Sequence, residues 1–208
     1  MKKTFLLAGI LLINLNLFAQ QTQKLNELGL TTRSLNTFGI TYRFGNEKSV
    51  WRINVFSTNG QSSFDNSNNR ELKENRYGAA LQLGKERRTA ISNTFELRHG
   101  LDFGFSYNSS KIVIHDNVGN LVTDRLSRSY EPKINLLLGF NFIFNQSFLL
   151  GAALQPSISY QISNNKNYDE NSKTYNSQNR NYFNYGLSNQ VIQLSLAYRF
   201  NKSDKKEG

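Results

Sequence analysis

Residues Phe95 to Tyr107 read FELRHGLDFGFSY. Phe95, Leu97, Leu101, Phe103, Phe105 and Tyr107 occupy one phase of a two-residue repeat, and Glu96, Arg98, Gly100, Asp102, Gly104 and Ser106 the other. A period of two belongs to an extended strand, whose side chains alternate between faces, so one face here is oily and the other is small or charged. The same alternation recurs outward in both directions. Phe38, Ile40, Tyr42 and Phe44, then Trp51, Ile53 and Val55, then Tyr77, Ala79, Leu81 and Leu83 precede it. Ile134 to Phe144, Phe148 to Tyr160 and Ile192 to Phe200 follow it in the same rhythm. No helical stripe competes.

The connections between these runs are of two kinds. Gly45 to Ser49, Lys85 to Ser92 and Asn145 to Ser147 are short, whereas residues 59–74, 108–131 and 162–186 are long and rich in Asn, Ser, Asp and Tyr, the composition of exposed loops. Strict alternation of short turns and long loops is a feature of membrane β-barrels. Seven runs are clear, and an even number is needed to bring both ends to one side. Leu25 to Thr32 supplies a weaker first strand, giving eight at roughly 25–33, 36–45, 49–58, 75–85, 93–108, 132–144, 147–161 and 187–200. Tyr182 to Leu187 is the alternative extra strand; it breaks the parity and is read as the extended stem of a loop.

Composition narrows the class further. The chain has 208 residues, Lys+Arg 25 against Asp+Glu 15, no Cys and 2 Pro. A mean hydropathy of −0.53 is too low for a bundle of membrane helices. Without cysteine there is no disulfide scaffold, thiolate metal site, cysteine nucleophile or lipidated cysteine anchor. The start, MKKTFLLAGILLINLNLFAQ, has the basic, apolar and small-residue regions of a secretory signal peptide, with cleavage expected after Ala19. The expected organisation is a signal peptide over 1–19, an outer-membrane β-barrel over 20–200 and a polar C-terminal tail over 201–208. Basic residues are scattered among strands instead of clustered on one helix, so anionic lipid is the expected partner of the excess charge and nucleic acid is not.

Volume decides which face is outside. An eight-strand barrel encloses at most about 1,000 Å³, and about 30 large apolar side chains of about 100 Å³ each need several times that. The apolar phase therefore faces lipid in an all-β, antiparallel up-and-down transmembrane β-barrel. Tyr42, Phe44, Trp51, Phe95, Phe144, Phe148, Tyr198 and Phe200 are expected at the rim of the short turns, with Phe38, Tyr77, Tyr107 and Tyr160 at the other, as aromatic girdles.

The signal ending FAQ, the segments FGITYRFG (38–45) and VWRINVFS (50–57), and the closing strand LSLAYRF (194–200) resemble the small outer-membrane β-barrel proteins of the porin-family or OmpA/OmpX type. That resemblance implies an aromatic-ended last strand read by the barrel assembly machinery and no catalytic residues; the expected location is the outer membrane, with the even strand count placing both termini in the periplasm. Phe200 matches the aromatic end, although residues 201–208 follow it.

On the inward phase the charged residues are Arg43, Arg52, Glu96, Arg98, Asp102 and Arg199. Charges in a narrow lumen should pair, so Glu96 and Asp102 are expected to reach across to Arg43, Arg52 and Arg199, with Arg98 adding donors, to make a closed plug. Arginine-rich company keeps carboxylates ionised and disfavours acid–base catalysis. Above the plug, Gly39, Thr41, Gly104, Ser106, Ser157, Ser159 and Ser195 are small and neutral and are expected to leave a shallow wet pocket. His99 falls on the lipid phase and His115 in a loop beside Asp116, too few donors for a metal. Loop 108–131 reads as a projecting hairpin whose edges suit β-augmentation, and the Tyr/Asn-rich 162–186 suits recognition of a protein or glycan. The functional expectation is a non-catalytic structural or surface-interaction protein without cofactors. A narrow porin or uptake channel and a barrel-embedded lipid-acting enzyme are the alternatives, with a soluble periplasmic carrier behind them.

Overall fold

The computed structural model describes residues 25–34, 36–67, 70–116, 118–145, 147–169, 172–187 and 192–201. The expected signal peptide and the tail beyond residue 201 lie outside them. Among the described residues ten strands follow one another: β1 (Leu25–Ser34), β2 (Thr37–Gly45), β3 (Ser49–Ser67), β4 (Arg70–Ser92), β5 (Phe95–Asp116), β6 (Leu121–Phe144), β7 (Phe148–Leu154), β8 (Ser157–Asp169), β9 (Thr174–Gly186) and β10 (Ile192–Asn201).

Eight of them close a ring in the order β5–β4–β3–β2–β1–β10–β7–β6, with β6 pairing back on β5, every pairing antiparallel. Closure leaves no sheet edge within the ring, so backbone N–H and C=O groups bond around it without needing water. The ring is staggered. From Tyr198 the partners lead through Leu28, Tyr42, Ile53, Leu83, Phe103 and Ile134 to Ile158, ten residues along from the Phe148 that Tyr198 meets directly. Such a stagger tilts the strands by about 35–45°.

Outward of the ring stand Leu30, Ile40, Val55, Leu81, Phe103, Leu136, Leu150 and Leu196, each between 41 and 67% exposed. The inward phase is buried and mostly polar, with Leu25, Val50, Phe56, Leu137 and Leu149 among its apolar members. This inverts a soluble protein, and the outward face is the surface that a hydrocarbon phase covers. Rings of aromatic pairs flank it. Near the short turns Tyr42 stacks on Phe44 at 5.7 Å and Tyr198 meets Phe148 at 5.1 Å and Phe200 at 4.8 Å. At the other rim Tyr77, Tyr107 and Tyr130 form a row, at 6.2 Å and 5.3 Å between neighbouring rings. Trp51, Phe144 and Tyr160 also face outward, and Lys85 lies over the Trp51 ring at 5.5 Å.

The structure corrects the reading of the long connections. Residues 59–74, 108–131 and 162–186 are mostly paired strand: β3–β4, β5–β6 and β8–β9 run on as hairpins above the ring. Beyond the membrane both faces of a strand are wet, so side chains there need not alternate and the two-residue signal fades although pairing continues. Tyr182–Leu187, read as a loop stem, falls largely within β9. It adds no ninth member to the ring. β7 and β8 are one path across β6, in register through the break at Gln155–Pro156, where Pro156 lacks an N–H but its carbonyl accepts from Leu136 at 2.9 Å. The 85–92 connection is likewise strand, because β4 reaches Ser92.

The wall is uneven. β1 and β2 turn back at residues 34–37, whereas β3 continues nine residues past Thr58, which is about 30 Å of additional strand at about 3.3 Å per residue. The hairpin tip between β5 and β6 is fixed by Asp116. Its carboxylate accepts from the Val118 and Asn120 amides at 3.0 and 2.7 Å and from the Asn120 side chain at 3.0 Å, and Gly119 takes the positive φ of 85° that the turn requires. The Asn120 side chain, followed by the backbone amides, holds the Asp116 carboxyl below its ordinary value of 3.8. A lowered carboxyl stabilises the turn above the unfolded value and loses that effect as pH falls through the folded one. Amide exchange at Val118 and Asn120 should therefore quicken, beyond its intrinsic pH trend, only as the pH drops below about 3.8. Asp116→Ala should quicken it at every pH while leaving the thermal stability of the barrel unchanged.

Candidate functional site: the ion-paired lumen

Alternation sends Glu27, Arg43, Arg52, Glu86, Arg88, Glu96, Arg98, Asp102 and Arg199 into the lumen, where all are 9% exposed or less. Glu27 of β1 is the hub. It accepts from Arg88 Nη1 and Nη2 at 2.6 and 2.8 Å, Arg199 Nε at 2.9 Å and Arg43 Nη1 at 3.1 Å. Arg88 Nε also donates to Glu86 at 2.8 Å, and Arg199 Nη2 donates to Glu96 at 3.1 Å. Arg52 closes the other end, hydrogen-bonded to Asp102 and 3.5 Å from Glu86. The resulting chain, from Asp102 through Arg52, Glu86, Arg88, Glu27 and Arg199 to Glu96, joins β5, β3, β4, β1 and β10 across the interior.

Expected residues and observed pairs differ in detail. Arg52 does meet Asp102 and Arg199 does meet Glu96, but Arg43 bonds to Glu27 and to Ser195 Oγ, the latter at 3.1 Å. Arg98 approaches Glu86 at 3.6 Å and not the carboxylates of its own strand. Glu27, Glu86 and Arg88 lie outside the expected set. Leu28 and Leu30 on the lipid face already place Glu27 inward, so a signal exists in a short and otherwise weak strand. Glu86 and Arg88 are hidden in the run KERR (85–88), whose four charges look like a turn although only its even members enter the lumen.

Glycines make the room that these long side chains occupy. A Cβ on Gly84 would lie 2.7 Å from the carboxyl carbon of Asp102, and one on Gly151 would lie 3.0 Å from Arg98 Nη2. Above the charged tier the expected wet pocket is instead built over. Phe56 is 1% exposed and lies against Gly39, with the Arg33 guanidinium 4.3 Å from its ring centre. Arg33 Nη2 donates to Gln155 Oε1 at 2.6 Å, Gln155 bonds to Gln193, and Gln193 donates to Thr31 at 2.5 Å. Lys133 and Gln82 reach across Gly104. The small residues are thus the floor on which neighbouring strands lay larger polar ones.

Chemically, this interior holds paired charge. Each carboxylate is paired with at least one guanidinium, and the paired side chains lie across the bore. Among the described residues, no three His, Cys, Asp or Glu side chains gather as metal ligands do. Tyr175 on β9 donates to Asp124 of β6 at 2.9 Å, bracing the upper wall; Tyr168 packs on it at 5.4 Å.

No protein-family model matches this chain, and no curated protein matches it by sequence. Among solved structures it is similar to a major outer membrane protein from Thermus thermophilus, at 13% identity and a TM-score of 0.44, covering 87% of this chain and 100% of that one. It is also similar to Ail, the attachment invasion locus protein of Yersinia pestis, at 12% identity and a TM-score of 0.36, covering 86% and 100%. The closed hydrogen-bonded ring, its apolar exterior and its ion-paired interior belong to this chain itself, and together they make it an eight-strand transmembrane β-barrel.

Proposed function

We propose that this is an integral outer-membrane protein, exported by a cleaved signal peptide, closed to bulk flow and non-catalytic, whose raised wall presents a surface for interaction outside the cell. The observation that carries this reading is the coexistence of a lumen crossed by buried ion pairs with strands prolonged well past the membrane. A channel needs an open bore; a surface protein needs reach. Both ends of the described chain, Leu25 and Asn201, pair at the rim of the short turns, which on this reading is periplasmic.

The surface available to a protein or glycan is the raised wall at 59–74, 108–131 and 162–186. Hairpin β5–β6, the first place to look for β-augmentation, is flanked by β4 and β8 and offers no free edge along most of its length. Unpaired edges fall instead on β9 and on β3 above Thr58, facing each other over the low β1–β2 hairpin. A strand edge of this kind can accept an extended segment of another protein.

Two measurements test the reading. In planar bilayers the refolded chain should give no large steady conductance; a large one would establish the narrow-porin alternative. Trypsin added to intact cells should cut at Lys173, in the turn between β8 and β9, and spare Lys48, in the short turn between β2 and β3. Cleavage at Lys48 with protection of Lys173 would reverse the orientation.

A further inference from the structure

Lys111 of β5, Arg128 of β6 and Lys166 of β8 stand together on the outward face of the raised wall, and all three are exposed. Leu126 pairs with Lys111 on one side and with Lys166 on the other, and Arg128 is the next outward residue below it on β6. Strands lie about 4.8 Å apart, so the two lysines flank the Arg128 position within easy reach of their flexible stems.

Among the described residues none of the three forms an ion pair. The outward carboxylates above them are engaged elsewhere: Asp124 by the Tyr175 hydroxyl at 2.9 Å, and Glu71 by Lys73 at 2.6 Å. Three cations are therefore held together against their mutual repulsion with no protein counter-charge in contact.

Depth identifies the counter-charge. Arg128 is two residues above Tyr130, whose ring packs on Tyr107 at 5.3 Å in the upper girdle. Along a tilted strand two residues rise about 5 Å, which carries the guanidinium from the edge of the hydrocarbon into the headgroup layer. Beneath the girdle the outward Phe105 and Ile134 continue the apolar face on which an acyl chain would lie.

We propose that Lys111, Arg128 and Lys166 form a binding site for the phosphate of an outer-leaflet lipid headgroup. Guanidinium supplies paired donors to phosphate oxygens and the lysines supply point charges on either side, while the lipid's chains follow the strands below. The site rests on the reading that this rim faces the outer leaflet.

The test uses the full chain folded in detergent, with lipid A carrying its phosphates, dephosphorylated lipid A and inorganic phosphate as probes and native mass spectrometry as readout. Phosphorylated lipid A should be retained and released by high salt. Lys111→Ala/Arg128→Ala/Lys166→Ala should weaken it on the order of 100-fold, at about tenfold or less for each cation near a lipid surface. Lys111→Arg/Lys166→Arg should retain it. Equal binding by the triple variant, or equal retention of the dephosphorylated lipid, would overturn the site. Full competition by inorganic phosphate at the lipid's own concentration would overturn the lipid as its ligand. Heat-modifiable gel migration confirms that each variant is folded. Flotation with vesicles separates the two levels: a chain that inserts but ignores phosphate defeats only this site, whereas one that never inserts defeats the outer-membrane reading itself.

Discussion

Glu27→Ala should destabilise the folded barrel by about 3–5 kcal/mol, the usual cost of leaving a buried charge without its partner. Glu27 is fully buried and accepts from three guanidiniums, so its loss leaves Arg43 without a carboxylate and takes one partner each from Arg88 and Arg199. The charged tier already holds five arginines against four carboxylates, and the variant would leave five against three. Urea unfolding in detergent micelles measures the loss. Glu27→Ala combined with Arg43→Met should recover part of it, because Arg43 pairs with no other carboxylate among the described residues, whereas Arg88 keeps Glu86 and Arg199 keeps Glu96. A cost below about 1 kcal/mol, as for an exposed surface pair, would show that the network is hydrated and weak. Such networks need not contribute net stability compared with an apolar filling. In the closed barrel proposed here, their role is to fix which strands face one another across the bore and to obstruct it.

Gly29→Ala should impair closure of the ring itself. A Cβ at Gly29 would lie 2.3 Å from the Leu196 carbonyl oxygen and 2.6 Å from the Ala197 Cα, backbone atoms of β10 that cannot swing aside as a side-chain tip can. The β1–β10 seam is where the two ends of the chain meet, so the strands must separate or the ring must shift. Overpacking of this kind costs about 1–3 kcal/mol, and contact with backbone places this case at the upper end. The fraction of refolded protein that migrates as the compact, heat-modifiable form should fall sharply. Gly60→Ala, where a Cβ would meet nothing within 4 Å, is the matching control and should refold like the parent chain.

Much of the barrel is legible in single strands. Leu97, Leu101, Phe103 and Phe105 repeat every second residue because lipid contacts one face along the whole span, and that regularity needs no knowledge of neighbours. The inward Arg43, Arg52, Glu96, Arg98, Asp102 and Arg199 follow from the same phase. Glu86 and Arg88 escape because charge density at 85–88 looks like a turn, and Glu27 because its strand carries only two strong outward residues. Phe56 shows the reverse problem: an aromatic on the inward phase, accommodated because Gly39 stands opposite on β2. The raised wall is least legible, since Asn- and Ser-rich strands wet on both faces have the composition of loops.

Taken alone, the sequence determined that large apolar side chains outnumber what any eight-strand interior can hold, and hence which face meets hydrocarbon and which residues turn inward. Only the tertiary structure decided that Arg43 meets Glu27 and not Asp102, that the wall is low at β1–β2 and tall elsewhere, and that three cations assemble above the tyrosine row. Partnership across the bore depends on a stagger of ten residues accumulated around the whole ring, and no single strand encodes that sum.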